Sequence, residues 1–199
     1  MFVNLAHKRS YYIVNGITFY RLLTAPLLLT LLFYERLSIF KWLLIVSFLT
    51  DAVDGHLARK FKVTSAFGSI LDSVSDDLTI AVAIIGIVLV NPAFLKQELV
   101  LVVIQVFLFF AQIAAALFRY RKISSFHTYL AKFVAVFQAV FLMLFYWLPQ
   151  PVYILFYFVS ALTILDLLEE IVLVLIIPKW ETDIKGLYWV IKKSALPKV

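Results

Sequence analysis

Two short segments of the sequence carry aspartates at spacings that place carboxylates on one face of a helix. Asp51 and Asp54 lie three residues apart in the first segment, and Asp72 and Asp76 lie four residues apart in the second. Residues three and four apart share a helix face. Because only a short connection joins the segments, they can form an antiparallel pair of helices. Such a pair would bring the four carboxylates into one cluster.

A four-carboxylate cluster favours divalent metal chemistry. Carboxylate oxygens are hard ligands that suit Mg²⁺ or Mn²⁺, and a pair of ions would neutralise the cluster and leave positions open for phosphate. Gly55 and Gly68 fall on the same faces, where a missing side chain lets a ligand approach the backbone. Arg59 follows Gly55 by one turn and can hold a phosphate through paired hydrogen bonds. Taken singly, such acids could face interfacial water and such glycines could serve helix packing, but the combination favours a site.

The composition shows what kind of elements must position these residues. The 199 residues are 64% hydrophobic and only 15% charged, with a mean hydropathy of +0.99. A soluble domain carries about 25% charged residues. The chain is therefore expected to be an integral membrane protein. An ionisable residue at bilayer depth costs about 2.5–3.5 kcal/mol, so the aspartates need a compensating ligand or partner.

The residue types also exclude several classes of function. The sequence contains no cysteine, which excludes disulfides, thiolate nucleophiles and metal sites built on sulfur. The net charge of +6 could indicate nucleic acid, but no basic run with interleaved aromatics accompanies it. Basic residues beside membrane spans more often follow the positive-inside rule and meet anionic lipid. Membrane lipids are the expected partners, and nucleic acid is not.

Apolar stretches and proline breaks predict an all-α polytopic membrane protein. We expect a six-transmembrane-helix bundle with N- and C-terminal interfacial segments, forming one domain over residues 1–199. With about 20 residues per crossing, the spans fall at about 17–34, 39–58, 67–90, 98–118, 128–147 and 152–177. If the N-terminus is cytoplasmic, the outer segments hold only Arg36, Lys41 and Lys96 among the loop cations, which satisfies the positive-inside rule. The tail after Pro178 has amphipathic helical spacing and should lie on the inner leaflet.

These residues carry a resemblance to a known family. The string Asp51-x-x-Asp54-Gly55-x-x-Ala58-Arg59, then eight residues, then Gly68-x-x-x-Asp72-x-x-x-Asp76, matches in full the signature of the CDP-alcohol phosphatidyltransferases. Eight fixed residues at fixed spacing make this resemblance specific. The first span resembles the family's usual opening more weakly, at Asn15, Thr18, Arg21 and Pro26. The six-span layout agrees along most of the chain.

The resemblance implies a metal-dependent displacement at phosphorus in phospholipid biosynthesis. Members of the family transfer a substituted phosphate from a CDP-linked donor, commonly CDP-diacylglycerol, to the hydroxyl of an alcohol and release CMP. Asp76 would be the general base. Two ions, Mg²⁺ or Mn²⁺, would be held by Asp51, Asp54, Asp72 and Asp76. The donor's nucleotide and diphosphate would be lined by Asp54, Gly55, Ala58, Arg59 and Gly68. The resemblance also implies a homodimer, with the active site facing the cytoplasm, and we expect a bacterial inner membrane.

The alcohol acceptor is not named by the signature. Asp77 follows the fourth aspartate, where phosphatidylglycerophosphate-synthase-like members usually have lysine, which disfavours that acceptor. Lys132 lies about one turn inside the fifth predicted span, where a lysine either snorkels or meets an anion. We take Lys132 and Arg119 as candidate acceptor-binding residues. Asp166 and Glu169, deep in the sixth span, could instead counter Lys132 or Arg21.

Two other functions fit part of the pattern. A divalent-cation transporter would also need clustered carboxylates, but its path should place polar groups through the full membrane depth. Residues 80–90 and 99–110 contain only Gln105 as an amide and no charge, which disfavours transport. An inactive family member acting as a scaffold is the third possibility, and the intact signature argues against it.

Overall fold

The computed structural model describes the chain over residues 5–61, 66–124, 126–182 and 184–195. Side chains are described for residues 16, 19–51, 53, 68, 70–124, 126–182 and 184–192. The described chain is all-helical and contains no strand. Its helices are α1 Leu5–Phe33, α2 Leu37–Phe61, α3 Ala66–Val90, α4 Pro92–Tyr120, α5 Tyr129–Trp147, α6 Tyr153–Ile176 and α7 Leu187–Ala195.

Among the residues that the structure describes, three helical segments are long and apolar enough to cross a membrane: Ile70–Val90, Pro92–Tyr120 and Tyr129–Trp147. Large apolar side chains are exposed along the helices, including Phe118 at 92% and Ile154 at 85%. Surfaces of this kind are stable in lipid rather than in water. Helix α6 has a similar length, but Asp166, Glu169 and Glu170 interrupt its apolar sequence. The protein is an integral membrane protein, and the six-span arrangement stays a prediction.

The helix boundaries follow from local sequence. Asn91 accepts a hydrogen bond from the Phe94 backbone N–H at 3.1 Å, and Pro92 takes the first position of α4, where its missing N–H costs nothing. Thr128 caps α5 in the same way by accepting from Ala131 N–H at 3.0 Å. Helix α1 begins at Leu5, well before the predicted start of the first span, and continues through Pro26.

Contacts divide the chain into two units, Met1–Phe94 and Leu95–Val199. In the first unit, α1 packs along both α2 and α3. Fully buried side chains in this unit include Leu28, Phe40 and Leu44. Helix α1 is thus the central element of the first unit, which positions its polar residues against both neighbours.

The second unit is built on α5 packed against α6, with α7 also packed against α6. A buried apolar cluster joins the ends of several helices there and contains Ala116, Phe126, Leu173, Val174, Ile177 and Ile184. Backbone hydrogen bonds tie the segment before α7 to the α4–α5 connection, from Ile184 N–H to Phe126 O at 2.7 Å and from Tyr129 N–H to Lys185 O at 3.2 Å. Helix α7 is therefore fixed to the body of its unit.

Candidate metal centre

Helices α1, α2 and α3 bring an arginine and three aspartates together in the first unit. Asp72 and Asp76 lie one turn apart on α3, as their spacing predicted, and Asp51 lies on α2. One ligand oxygen from each of the three carboxylates lies within 4.8 Å of the other two. Arg21, on α1, is the residue that all three carboxylates contact. We call these four residues the aspartate–arginine cluster.

The guanidinium of Arg21 lies between the carboxylates. Its Nη1 is 2.6 Å from Oδ1 of Asp51 and donates a hydrogen bond to Oδ1 of Asp72 at 3.0 Å. Its Nη2 donates to Oδ1 of Asp76. Charge-assisted hydrogen bonds of this kind are among the stronger polar contacts in proteins. One guanidinium group therefore contacts carboxylates on two different helices.

The arginine of this cluster is much more buried than its three aspartates. The Arg21 side chain is 2% exposed, whereas those of Asp51, Asp72 and Asp76 are 33%, 26% and 34% exposed. A buried arginine is costly unless it is paired, and here three carboxylates pair with it. The carboxylates themselves remain accessible from outside the helix packing. A ligand could therefore reach them without the helices separating.

Small polar residues on α1 and α3 are buried close in sequence to the residues of the cluster. Ser75 and Thr79 on α3 are buried and return their hydroxyl hydrogen bonds to backbone carbonyls one turn earlier, at 2.8 Å in each case. Thr24 on α1 does the same to Tyr20 O at 2.9 Å. Small residues at helix contacts let membrane helices approach closely. This close approach allows side chains on three helices to meet at one point.

The cluster has the donor set of a divalent metal centre. The three carboxylates sum to a charge of −3, of which Arg21 compensates one unit, so the cluster attracts further positive charge. Carboxylate oxygens suit Mg²⁺ and Mn²⁺, and the buried guanidinium shows that the geometry already accommodates a cation. The residues present therefore fit the metal that the sequence led us to expect.

The other predicted donor-binding residues are described less fully. Gly68 lies on α3 one turn before Asp72 and is partly exposed. The side chains of Asp54, Gly55, Ala58 and Arg59 lie outside the described part of the structure, although these positions belong to α2. Their roles in metal and nucleotide binding stay predictions.

The candidate acceptor residues belong to the second unit. Arg119 is exposed at the end of α4 and donates from Nε to Ile177 O at 3.1 Å. Lys132 is exposed on the first turns of α5, with its Nζ 5.8 Å from the centre of the Tyr129 ring. Arg119 thus has a structural contact with the end of α6, and Lys132 lies beside an aromatic ring. Their part in acceptor binding stays a prediction.

The acids of α6 have contacts within the second unit. Glu169 Oε1 accepts a hydrogen bond from Leu187 N–H, the first residue of α7, at 2.8 Å. Glu170 Oε2 accepts from the Gln112 side chain on α4 at 2.6 Å. Both contacts join neighbouring helices, which is a structural role. The sequence suggested Lys132 or Arg21 as partners of Asp166 and Glu169. In the structure, Arg21 contacts Asp51, Asp72 and Asp76.

Sequence reasoning did not assign Arg21 to the carboxylate cluster. The signal was present, because an arginine within an apolar segment requires an anionic partner, and the signature supplies several carboxylates in the next two predicted spans. What the sequence lacked was the packing of α1. That helix lies against both α2 and α3, so Arg21 reaches Asp51 on α2 as well as Asp72 and Asp76 on α3.

Comparison with known proteins identifies the family. The CDP-alcohol phosphatidyltransferase family matches residues 11–176. The fold and the cluster are those of a helical membrane protein with a carboxylate site. The family match identifies the class to which this protein belongs. The chain belongs to the CDP-alcohol phosphatidyltransferase family.

Individual relatives are similar over a shorter stretch. The chain is 39% identical over 66 residues to a CDP-diacylglycerol–inositol 3-phosphatidyltransferase of Saccharomyces cerevisiae, covering 33% of this chain and 30% of that protein. It is 36% identical over 65 residues to a CDP-diacylglycerol–glycerol-3-phosphate 3-phosphatidyltransferase of Haemophilus influenzae, covering 33% and 29%. A cardiolipin synthase (CMP-forming)/mitochondrial hydrolase fusion protein of Schizosaccharomyces pombe is 39% identical over 75 residues, covering 35% and 13%. The matches thus span less than a third of each of these relatives. No solved structure matches the chain significantly.

Proposed function

We propose that this protein transfers a phosphatidyl group from CDP-diacylglycerol to the hydroxyl of an alcohol and releases CMP. The observation that carries this proposal is the convergence of Asp51, Asp72 and Asp76 within 4.8 Å, at the signature positions of its family. The names of the relatives support the donor, because several of them act on CDP-diacylglycerol. The carboxylates are partly exposed, so a metal ion that they bind could in turn hold the phosphates of the donor.

Asp51, Asp54, Asp72 and Asp76 would together hold two divalent ions, Mg²⁺ or Mn²⁺. When bound, such ions stabilise the charge that develops on the attacking and leaving oxygens of a displacement at phosphorus. The three described carboxylates come from two helices, so their spacing depends on helix packing and not on a flexible loop. Rigid ligand positions favour one coordination geometry, which is what Mg²⁺ requires.

Asp76 is the proposed general base. It would accept the proton of the alcohol while the hydroxyl oxygen forms a bond to the phosphorus of the phosphatidyl group. The bond from that phosphorus to the bridging oxygen of CMP breaks, and CMP leaves with the bonding electrons. Asp76 is one turn beyond Asp72 and 34% exposed, so an alcohol can reach its carboxylate.

The donor would be bound by Asp54, Gly55, Ala58, Arg59 and Gly68. Gly68 is one turn before Asp72 on α3, and its lack of a side chain leaves room for a nucleotide beside the carboxylates. Arg59 would bind the diphosphate through its guanidinium. The diacylglycerol tails would remain in lipid, beside the exposed apolar surfaces of the helices.

Lys132 and Arg119 are the proposed contacts of the acceptor. Lys132 is exposed near the start of α5, and an ammonium in that position can bind an anionic alcohol such as one carrying a phosphate. The relatives' names include an inositol and a glycerol-3-phosphate transferase, so the acceptor is assigned only as an alcohol.

The arrangement in the membrane is also a proposal. Six spans with both termini inside would place the cluster at the cytoplasmic face of a bacterial inner membrane, where a soluble acceptor and CMP can exchange with water. We propose a homodimer formed through membrane helices. On α4, Ala114 is exposed and Ala111 and Ala115 are partly exposed, so these small residues offer one close-packing surface for it, whereas Ala116 is buried in its own unit.

The test is CMP release by the purified protein. The protein, with Mg²⁺ or Mn²⁺ and CDP-diacylglycerol, is incubated with glycerol 3-phosphate, serine, inositol, inositol phosphate, choline or phosphatidylglycerol. Metal-dependent CMP release stimulated by one acceptor supports the proposal and identifies the product. Protein that fails to bind CDP-diacylglycerol would contradict it, and protein that binds the donor but releases no CMP with any acceptor would favour a scaffold.

A further inference from the structure

The Arg21 guanidinium lies at the point to which the three carboxylates converge. Its Nη1 is 2.6 Å from one ligand oxygen and 3.0 Å from another, and Nη2 contacts the third. The same three carboxylates each offer one oxygen within 4.8 Å of the other two, which is the arrangement that could hold an ion. The guanidinium therefore takes up the space and the charge compensation that an ion would supply.

A divalent ion and this guanidinium cannot occupy the cluster together. Mg²⁺ binds carboxylate oxygens at about 2.0–2.1 Å. An ion at that distance from the oxygens of Asp51 and Asp72 would lie within contact distance of Nη1, and both groups are positively charged. Repulsion between two cations at that separation is large. Binding of the ion therefore requires the guanidinium to leave the oxygens.

The guanidinium then needs another anion. Arg21 is buried among α1, α2 and α3, and an arginine without a counter-charge is costly at such a position. The proposed substrate brings phosphates to the ion, and arginine binds phosphate oxygens in a bidentate manner. The phosphates of the donor are therefore anions that arrive with the ion, and their oxygens can accept two hydrogen bonds from the guanidinium.

We propose that Arg21 is an exchangeable counter-ion of the metal centre. In the free protein it holds Asp51, Asp72 and Asp76 together. When the ion and the CDP-linked donor bind, it transfers from the carboxylates to the donor's phosphates. This inference rests on the proposed function, since it takes the cluster to be the metal centre of a CDP-dependent transferase.

The exchange couples the binding of metal and nucleotide. An ion that binds alone must displace Arg21 from its carboxylates, whereas an ion that binds with CDP gives Arg21 a new partner. CDP should therefore tighten Mn²⁺ binding, and Mn²⁺ should tighten CDP binding by the same factor. Coupling between sites typically amounts to about 5–150-fold in affinity. Removing the guanidinium should tighten the binding of the ion alone and reduce the coupling.

The experiment measures Mn²⁺ binding by electron paramagnetic resonance on purified protein, with and without CDP and with no acceptor. We expect Arg21→Met to bind Mn²⁺ alone about 5-fold or more tightly than wild type does, and its CDP enhancement to be about 5-fold smaller. Mn²⁺ can contact the CDP phosphates directly in both proteins. The difference between their CDP enhancements therefore measures the contribution of Arg21. Arg36→Met, which removes an exposed arginine at the α1–α2 turn, is the matched control and should behave as wild type.

Two outcomes overturn the exchange. One is an Arg21→Met protein whose Mn²⁺ affinity without CDP equals or falls below that of wild type, and the other is an unchanged CDP enhancement. If Arg21→Met does not fold, Arg21→Gln is measured instead, because glutamine removes the positive charge but keeps a side-chain amide that can donate to the carboxylates. It should also bind Mn²⁺ alone more tightly than wild type, and an unchanged affinity would again overturn the exchange.

The same measurement on Asp72→Asn separates this inference from the proposed function. If Asp72→Asn binds Mn²⁺ as well as wild type does, the cluster is not the metal centre and both proposals are wrong. If Asp72→Asn loses Mn²⁺ while Arg21→Met leaves the affinity and coupling unchanged, the metal centre stands and only the exchange is wrong.

Discussion

Arg21 and Asp72, separated by 51 residues in sequence, are joined by a hydrogen bond of 3.0 Å from Nη1 to Oδ1. The bond connects α1 to α3, and the contact of the same guanidinium with Asp51 extends the connection to α2. One buried cation therefore organises carboxylates from both halves of the signature. This arrangement makes the cluster a structural feature of the first unit as well as its proposed reactive site.

The first prediction concerns Asp72. Asp72→Asn should lower CMP release to below about a tenth of the wild-type rate, because a proposed ligand of the ions becomes a neutral amide. The protein should remain folded in detergent, since asparagine keeps the shape and can still accept a hydrogen bond from Arg21. Size-exclusion profile and thermal unfolding check folding, and a CMP assay checks turnover. Asp77→Asn is the matched control, because Asp77 is outside the group of three carboxylates. Retention of more than about a tenth of the activity by Asp72→Asn would contradict the metal assignment.

The second prediction concerns removal of the metal. Chelation with EDTA should abolish CMP release, and adding Mg²⁺ or Mn²⁺ in excess of the chelator should restore it, because the carboxylates supply ligands but no Lewis acid. Thermal unfolding in EDTA should remain cooperative, since Arg21 still compensates Asp51, Asp72 and Asp76. Activity that persists in EDTA after extensive dialysis would contradict metal dependence.

The convergence of Asp51, Asp72 and Asp76 could be predicted from the sequence because helical spacing is local, whereas Asp54 of the predicted cluster lies outside the described side chains. Asp72 and Asp76 share a face of α3 for reasons that do not depend on the rest of the chain. The place of Arg21 depends instead on how α1 packs against two other helices, and no local rule specifies that packing. The partners of Glu169 and Glu170 were missed for the same reason. Glu169 accepts from the backbone at the start of α7, which hydropathy alone does not reveal.

The third prediction concerns Lys132. Lys132→Met should raise the KM for an anionic acceptor by about tenfold, because a hydrogen bond between charged groups contributes about 1.5–3 kcal/mol. The KM for CDP-diacylglycerol should change little. Steady-state kinetics with the acceptor identified by the CMP assay measure both constants. Lys96→Met, at an exposed lysine on the first turn of α4, is the matched control. Unchanged acceptor kinetics in Lys132→Met would mean that Lys132 does not bind the acceptor and that its ammonium group only reaches the membrane surface.

The last prediction concerns the connection between α6 and α7. Gly186 has φ +142°, and a Cβ there would lie 3.1 Å from Glu169 Oε1 and 3.3 Å from the Trp189 ring. Gly186→Ala should therefore lower stability by about 1–3 kcal/mol, because both the backbone conformation and the contact become strained. It should also weaken the hydrogen bond from Leu187 N–H to Glu169 and expose α7 to proteases. The readouts are thermal unfolding and the rate of C-terminal cleavage.

Gly16→Ala provides the matched control for this last change. Gly16 lies within helix α1, and a Cβ there would meet nothing within 4 Å. Alanine is favoured over glycine inside a helix by about 0.5–1 kcal/mol, so this variant should be as stable as wild type or more stable. Equal thermal stability and equal cleavage rates in Gly186→Ala and Gly16→Ala would mean that the positive φ and the Glu169 contact do not hold α7 in place.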